Sequence, residues 1–568
     1  MKDPKRYRYK RPNRARYRLI LLLFTLLFLV LICRLFDIQI RQHEKFRVIA
    51  DEGKKALIKL PAARGLIFDC TGRELAVNVP RYSIYAIPRA IENAEAVSER
   101  LASILELDYG TVKSAVSGDG MFRWILRKVD DESAEAVRSA GFKGVGFLLE
   151  NERCYPSGSL GAHILGFVDI DNCGLEGIER YYDDELKGYQ GQRIILVDAK
   201  RRQVDSPPDG FTPPKDGLNL VLTLDETIQH IAEQALAKAV RKHNPRSVSI
   251  VVMKPDNGEI LALCNYPAFD PNNISQAGAG ARRNRALTDV FEPGSSFKIV
   301  TAAAALEDRV FKIGDIFHCE DGEYRIGGRI LHDHKPYKDL DFCQVIEKSS
   351  NIGTVKIAQA LGPERLSSYI DSFGFGEVTG IDLPGEVGGI VHDPSDWTGG
   401  SIAAIPIGQE IAVTAVQLAQ AVSCIANGGM RMRPHLLKRI TDAAGATIRE
   451  VKPRMVRRVI SKSTASALKD ILVRVVEEGT GKRAGCENYI TAGKTGTGQR
   501  LEDDGTYSHK KYNSVFIGFA PAHEPRIAVS VVVIEPHLQY YGGTVAAPVF
   551  SEIVDEGLRY LGITPDRS

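Results

Sequence analysis

Ser295 and Lys298 stand three residues apart in the stretch Phe291-Glu292-Pro293-Gly294-Ser295-Ser296-Phe297-Lys298. Pro293 and Gly294 break the chain ahead of them, and Ile299, Val300, Ala302 to Ala305 and Leu306 behind them carry the apolar pattern of a helix starting at or near Ser295. Residues three apart on a helix share a face, so the hydroxyl and the amine would look at one point. A serine hydroxyl is a weak nucleophile at neutral pH and needs a base beside it, and lysine serves as that base only when neutral. Burial, the positive field of a helix N-terminus and a second cation facing it would each lower the proton affinity of Lys298. The chemistry such a pair offers is acyl transfer through a serine ester.

Two further short patterns follow in order. Ser349-Ser350-Asn351 opens a helix-like run through Ile352, Val355, Ile357, Ala358 and Leu361, and Lys494-Thr495-Gly496-Thr497 follows Tyr489 to Ala492 on an expected strand. Each pattern is weak alone: Ser508-His509-Lys510-Lys511 also fits S-x-x-K and has no helix to open. The ordered trio, each member in its own structural setting, carries the assignment. Bland alternatives stand beside every member. Ser349 could cap its helix, Asn351 could fill an N-terminal turn, Lys494 could guard an edge strand, and Gly496 could mark a bulge or a close backbone approach.

The elements that must position these residues begin after Ser206 to Gly217, a Pro/Gly-rich stretch with linker character. Leu220 to Leu224 reads as a strand and Asp225 as the N-cap of a helix from Glu226 to Val240. Val248 to Met253 and Ile260 to Cys264 read as strands joined through Asn257-Gly258, Ser514 to Ala520 and Ile527 to Ile534 as two more, and Pro548 to Leu561 as a closing helix. Strands at both ends of the region imply one antiparallel sheet completed by both, flanked by helices and holding a mostly helical insertion. Upstream, Leu60 to Ala76 reads as two short strands around a turn at Asp69 to Gly72, Ala94 to Leu105 and Asp130 to Ala140 as helices, and Arg153 to Gly188 as a Gly- and aromatic-rich platform.

At the N-terminus, nine Lys and Arg residues from Lys2 to Arg18 face one acid, Asp3, and Leu19 to Cys33 then carries no charge. With Leu35 and Phe36 the apolar span approaches the ~20 residues that cross a bilayer. The basic flank places the N-terminus in the cytoplasm and all that follows outside. A cleaved signal peptide fits less well, because Leu31-Ile32-Cys33-Arg34 offers no small-residue cleavage site. The formal net charge of +3, with no basic stripe past this flank, argues against nucleic acid as a partner. Nine cysteines without a CxxC pair form no zinc-ribbon spacing. His318-Cys319, His332-Asp333-His334 and Cys343 cluster ahead of Ser349; a Cys319–Cys343 disulfide or unpaired residues explain them more simply than zinc.

The trio, with Phe291 to Lys298, Arg64-Gly65 and Gly174 to Glu179, resembles the class B penicillin-binding proteins, and the resemblance runs from the apolar span almost to Leu561. Asn284 to Asp289 and Gly542 to Pro548 look closest to division-type (FtsI-like) and sporulation-type (SpoVD-like) transpeptidases. The resemblance implies an α+β multidomain chain: basic tail 1–18, transmembrane anchor 19–36, dimerisation or pedestal domain 45–205, linker 206–217, and a serine β-lactamase-like transpeptidase domain 218–562. It implies that Ser295 attacks the carbonyl joining two D-alanines of a peptidoglycan stem peptide, with the N–H groups of Ser295 and Thr497 on the oxyanion. Lys298 is then the base and Ser349 passes the proton to the departing D-alanine. Asn351 bonds the peptide amide or Lys298, and Lys494, Thr495, Gly496 and Thr497 receive the terminal carboxylate and the substrate backbone. A neighbouring stem peptide's amine releases the acyl group as a crosslink. No cofactor and no metal is called for. The implied partners are lipid-linked precursor, β-lactam antibiotics, an FtsW-type membrane glycosyltransferase and other division proteins. A D,D-carboxypeptidase, or a non-enzymatic β-lactam sensor or division scaffold, are the alternatives. A class A β-lactamase fits poorly, since its Glu-x-x-Leu-Asn would place Glu where Lys215 stands before Leu218-Asn219.

Overall fold

The computed structural model describes residues 14–53, 55–197, 203–205, 210–502 and 506–567. It divides into two compact units, residues 1–62 with 189–215 and residues 63–188 with 216–568.

In the first unit, α1 (Arg14–Phe36) has no buried residue and is long and apolar enough to cross a membrane. A π-helical turn, Asp37–Arg41, and a short helix, His43–Gly53, continue it. Lys55–Leu60 pairs antiparallel with Gly191–Val197, which also pairs with Gln203–Asp205 and Phe211–Thr212. The expected linker begins at Ser206 to Asp209, which lie outside the described residues.

The second unit holds a head and the region that carries the trio. In the head, Glu74–Ala86 pairs with Val145–Cys154 on one side and Arg123–Val129 on the other. Helices Ala94–Leu105, Tyr109–Val116 and Asp131–Ser139 are capped by Asn93, Asp108 and Asp130, and bury Leu101, Val112 and Val137 against Ile84. The sheet then runs through Ile67–Phe68, parallel to Asn219–Leu222, and on to Leu437–Thr441 and Thr447–Glu450. The insertion expected to be mostly helical therefore sends two strands into the head's sheet; Leu437 and Ile440, either side of a register shift in the pairing with Asn219–Leu222, are buried at 1% and 2% exposure. Arg64 is fixed by Glu179 (2.6 Å) and Asp183 (2.7 Å), and Arg153 takes the other Glu179 oxygen at 2.7 Å.

After the cap Asp225 come α2 (Glu226–His243), β1 (Ser247–Met253) and β2 (Ile260–Tyr266). The middle of the region contributes α3 (Lys298–Glu307), α4 (Asn351–Leu361) and α5 (Ala415–Ala426). The chain closes with β3 (Ala492–Leu501), β4 (Tyr507–Ala520), β5 (Ile527–Ile534) and α6 (Ala547–Tyr560). The strands form one antiparallel sheet in the order β2-β1-β5-β4-β3, so both ends of the region complete it. Alternation divides the two faces. Ile250 and Val252 join the core under α2 and α6, while Val251 and Met253 join the core that holds α3 and α5. β3 is the edge strand, and the trio gathers along it.

Candidate active site

The turn that carries Ser295 is built by close backbone packing. Gly294 has φ +54°, and a Cβ there would stand 2.6 Å from the Thr497 carbonyl; a Cβ on Gly408, φ +81°, would stand 2.1 Å from the Gly294 carbonyl. The turn is thus wedged between β3 and the loop at Gly408. Squeezed in this way, Gly294–Phe297 winds as a 3-10 turn, and the α-helix begins only at Lys298 rather than at Ser295. Glu292 Oε1 ties the turn's approach to two other segments, accepting from the Glu410 N–H and the Tyr507 hydroxyl, both at 3.0 Å.

Lys298 is fully buried, and its Nζ spends its donors on the Ser349 carbonyl (2.7 Å), Asn351 Oδ1 (2.7 Å) and Ser349 Oγ (3.3 Å). Ser349 turns its carbonyl toward the ammonium. Ser349 does so by adopting φ +59°, a left-handed conformation costly for a non-glycine residue. Burial lowers the Lys298 pKa to about 7, with the charge of Asp333 pulling the other way.

Ser349 does not cap the helix. The cap is Ser350, whose Oγ accepts from Gly353 N at 2.9 Å and donates to Asp333 Oδ2 at 2.6 Å. Asp333 Oδ1 takes the N–H groups of Asn351 (2.5 Å) and Ile352 (3.1 Å), and Asn351 Nδ2 donates to the His332 carbonyl at 2.9 Å. Asn351 is therefore oriented from both sides rather than filling a turn.

Lys494 lies on the edge strand yet is 0% exposed, which removes the edge-guard reading. Its Nζ donates to Ser349 Oγ (3.0 Å) and the Thr495 carbonyl (3.2 Å). Burial, then repulsion from Lys298, holds its pKa well below the usual lysine value. One hydroxyl, Ser349 Oγ, thus sits between two buried lysines. Thr495 Oγ1 shares a hydrogen bond with Thr480 Oγ1 at 2.7 Å, and Thr497 Oγ1 accepts from Gly542 N at 3.0 Å. Gly496 marks no bulge, since register with β4 is unbroken from Ala492 to Gln499; the close approach is to the nucleophile turn, where its Cβ would meet the Pro293 carbonyl at 2.5 Å.

The cluster left open by the sequence disperses. His318 pairs with Asp339, His334 lies edge-on to Tyr541, and Asp333 belongs to the Ser350–Asn351 turn. Cys319 and Cys343 are both free and buried, Cys319 Sγ lying 3.6 Å from Ser350 Oγ. Ser508 to Lys511, the decoy S-x-x-K, is strand.

A model of the penicillin-binding protein transpeptidase domain matches residues 248–555, and one of the penicillin-binding protein dimerisation domain matches residues 59–222. The chain belongs to the class B penicillin-binding proteins. Stage V sporulation protein D of Bacillus subtilis is 36% identical over 98% of this chain and 87% of its own length. Peptidoglycan D,D-transpeptidase FtsI of Escherichia coli is 33% identical over 89% of this chain and 85% of its own. The crystal structure of penicillin-binding protein 3 of Mycobacterium tuberculosis, complexed with aztreonam, superposes with a TM-score of 0.70 at 28% identity, covering 89% of this chain and 98% of that one. Membership makes this penicillin-binding protein a serine-type peptidoglycan D,D-transpeptidase, and its α1 fits a membrane anchor.

Three contributors escaped the sequence reading. Asp333 stood in the sequence only as part of a His/Cys cluster, and its place at the start of α4 comes from a hairpin, Glu323–Ile326 with Arg329–His332, just before it. Glu292 was within the quoted motif, but its partners lie 118 and 215 residues away. The Gly542 N–H reaches Thr497 through the turn before α6; the quoted Gly542-Gly543 pair was its one visible trace.

Proposed function

We propose that Ser295 of this penicillin-binding protein forms the acyl-enzyme, and the observation that carries the reading is the convergence of Lys298 and Lys494 on the Ser349 hydroxyl beside the nucleophile turn. Neutral Lys298, accessible near pH 7, takes the Ser295 proton as Oγ attacks the carbonyl between the two D-alanines. The N–H groups of Ser295 and Thr497 hold the oxyanion. As the C–N bond breaks, Ser349 hands its proton to the departing amine and is refilled from the lysine ammonium it touches. Asn351 bonds the substrate amide. Thr495 and Thr497, with the charge of Lys494, receive the terminal carboxylate, and the free edge of β3 takes the peptide backbone alongside Gly496. The amine of a second stem peptide releases the acyl group as a crosslink.

The basic residues ahead of α1 support an orientation with the N-terminus in the cytoplasm and the catalytic region outside. A partner that polymerises glycan, an FtsW-type membrane glycosyltransferase, follows from the lack of a second catalytic pattern before residue 218, and the setting is division or sporulation wall synthesis. Labelling of the full-length protein in detergent with fluorescent penicillin, followed by mapping of the modified peptide, tests the core of this reading. The label belongs on Ser295 and disappears in Ser295→Ala; a label elsewhere sinks the assignment. Crosslinked dimer formed from lipid-linked precursor separates transpeptidase from carboxypeptidase and from sensor.

A further inference from the structure

The nearly even charge of the whole chain hides one basic stretch. Residues 431–462 hold ten Lys and Arg against two acids, Asp442 and Glu450, with apolar residues interleaved so that no unbroken basic run shows in the sequence. The fold gathers part of this stretch around a cavity of about 230 Å³, where Tyr181 and Tyr182 of the platform meet Asp382, Arg433, Lys452 and Arg454. The tyrosines lie in the residues matched by the dimerisation domain and the cations in those matched by the transpeptidase domain.

The wall is built rather than draped. Val451 N donates to the Lys438 carbonyl and Arg433 N to the Arg454 carbonyl, both at 2.9 Å, so the segment that carries Lys452 and Arg454 is tied at each end. The carboxylate of the wall already holds three donors: Asp382 accepts from the N–H groups of Leu436 (2.6 Å) and Leu437 (2.8 Å) and from the Tyr182 hydroxyl (2.9 Å). Arg433 Nε donates to the Gly380 carbonyl at 2.5 Å, and its two terminal nitrogens have no acceptor among the described residues. Lys452 and Arg454 meet no carboxylate within ion-pair distance among the described residues. Three cations with open donors and no unspent anion call for an anionic guest.

Size and valence narrow the guest. The cavity is smaller than the roughly 300–1,000 Å³ of pockets that enclose whole small molecules, so it suits one charged group. A carboxylate offers two oxygens in one plane and matches a single guanidinium. A phosphate offers its oxygens on a tetrahedron, which side chains arriving from two segments can share. We propose that this cavity is a phosphate-binding site, taking either free phosphate or the phosphate of an organic ester. The ester's organic end would lie on the ring of Tyr181, which is 44% exposed.

The test is isothermal titration of the full-length protein in detergent and phosphate-free buffer, at fixed ionic strength, with orthophosphate, glycerol 3-phosphate, the diester glycerophosphoglycerol and acetate. At least one phosphate compound is expected to saturate with a Kd below about 1 mM and about tenfold or more tighter than acetate. Lys452→Gln and Arg454→Gln, both at exposed side chains, are each expected to weaken that binding about tenfold while the thermal midpoint without phosphate stays unchanged. Arg457→Gln, exposed on the same basic stretch but outside the cavity lining, is expected to keep the affinity within about twofold. An ester that leads orthophosphate by more than about threefold and loses the lead in Tyr181→Ala identifies an organic phosphate as the guest; orthophosphate within about threefold of the esters or tighter identifies the free ion. No saturation up to about 10 mM, acetate as tight as phosphate, folded Lys452 and Arg454 variants at full affinity, or an equal loss in Arg457→Gln would each overturn the site.

Discussion

Replacing Asp333 by asparagine changes one charge and almost no volume, and it acts on the site from behind. Asp333 takes the Asn351 N–H at 2.5 Å, and Asn351 Oδ1 in turn accepts from Lys298 Nζ at 2.7 Å. The carboxylate therefore acts on the ammonium from two hydrogen bonds away. A 4 Å ion pair at an effective dielectric near 20 is worth roughly 4 kcal/mol, and at about twice that separation roughly 2 kcal/mol, or about 1.5 pH units. On the acyl-transfer reading proposed above, the neutral amine is the active form of Lys298, and it grows in as pH rises through its pKa of about 7. Removing a negative neighbour makes protonation harder, so this pKa falls and the acid limb of the rate profile moves to lower pH. The expected midpoint lies between about 5.5 and 6.5. Above it the plateau rate falls, because a weaker base drives proton transfer less well. The assay is the second-order rate of penicillin acylation between pH 5 and pH 9, with urea unfolding as a companion. Loss of the charged contact at the start of α4 is expected to cost roughly 1–2 kcal/mol of stability. An acid limb that stays where wild type has it, or moves upward, would refute the electrostatic link between Asp333 and Lys298.

Three further outcomes follow from the same geometry. Gly408→Ala should slow penicillin acylation more than about tenfold and cost roughly 2–4 kcal/mol in urea unfolding, because its Cβ would lie 2.1 Å from the Gly294 carbonyl at φ +81°. Glu179→Ala leaves Arg153 without its carboxylate and Arg64 with Asp183 alone, their side chains 1% and 2% exposed, and should cost roughly 3–5 kcal/mol in thermal or urea unfolding. All nine cysteines should react with a thiol reagent in guanidinium without prior reduction, and Cys319 and Cys343 should react slowly in the native protein; seven thiols would mean that two are paired.

The sheet and its closing helix were legible because their signals are local. The short apolar runs Val248 to Met253 and Ile527 to Ile534, Asp225 as a cap and Pro548 at a helix start each need only a few neighbouring residues. The trio was legible through its order. What the sequence hid depends on contacts between distant segments. The 3-10 turn at Ser295 comes from the wedge made with β3 and Gly408, more than a hundred residues on. Ser349 and Ser350 look interchangeable as caps until φ at Ser349 and the carboxylate of Asp333 decide between them. Lys494 reads as an exposed edge lysine until Ser349 is laid across it. Strands Leu437–Thr441 and Thr447–Glu450 join the head's sheet through residues that precede them by more than two hundred positions.

The strand order β2-β1-β5-β4-β3 has a consequence for how the enzyme matures. Lys494 reaches the site only when β3 docks on β4, and β4 docks on β5, which itself must slot beside β1. A chain still emerging can hold Ser295, Lys298 and Ser349 and yet lack the wall that Lys494 adds beside them. Pairings that join residues near 250 to residues near 530 close very long loops and form late. Antibiotic labelling of this protein therefore doubles as a stopwatch: reactivity marks the arrival of the last strands, and a chain that stalls short of residue 492 is spared the drug because it has no finished site to offer.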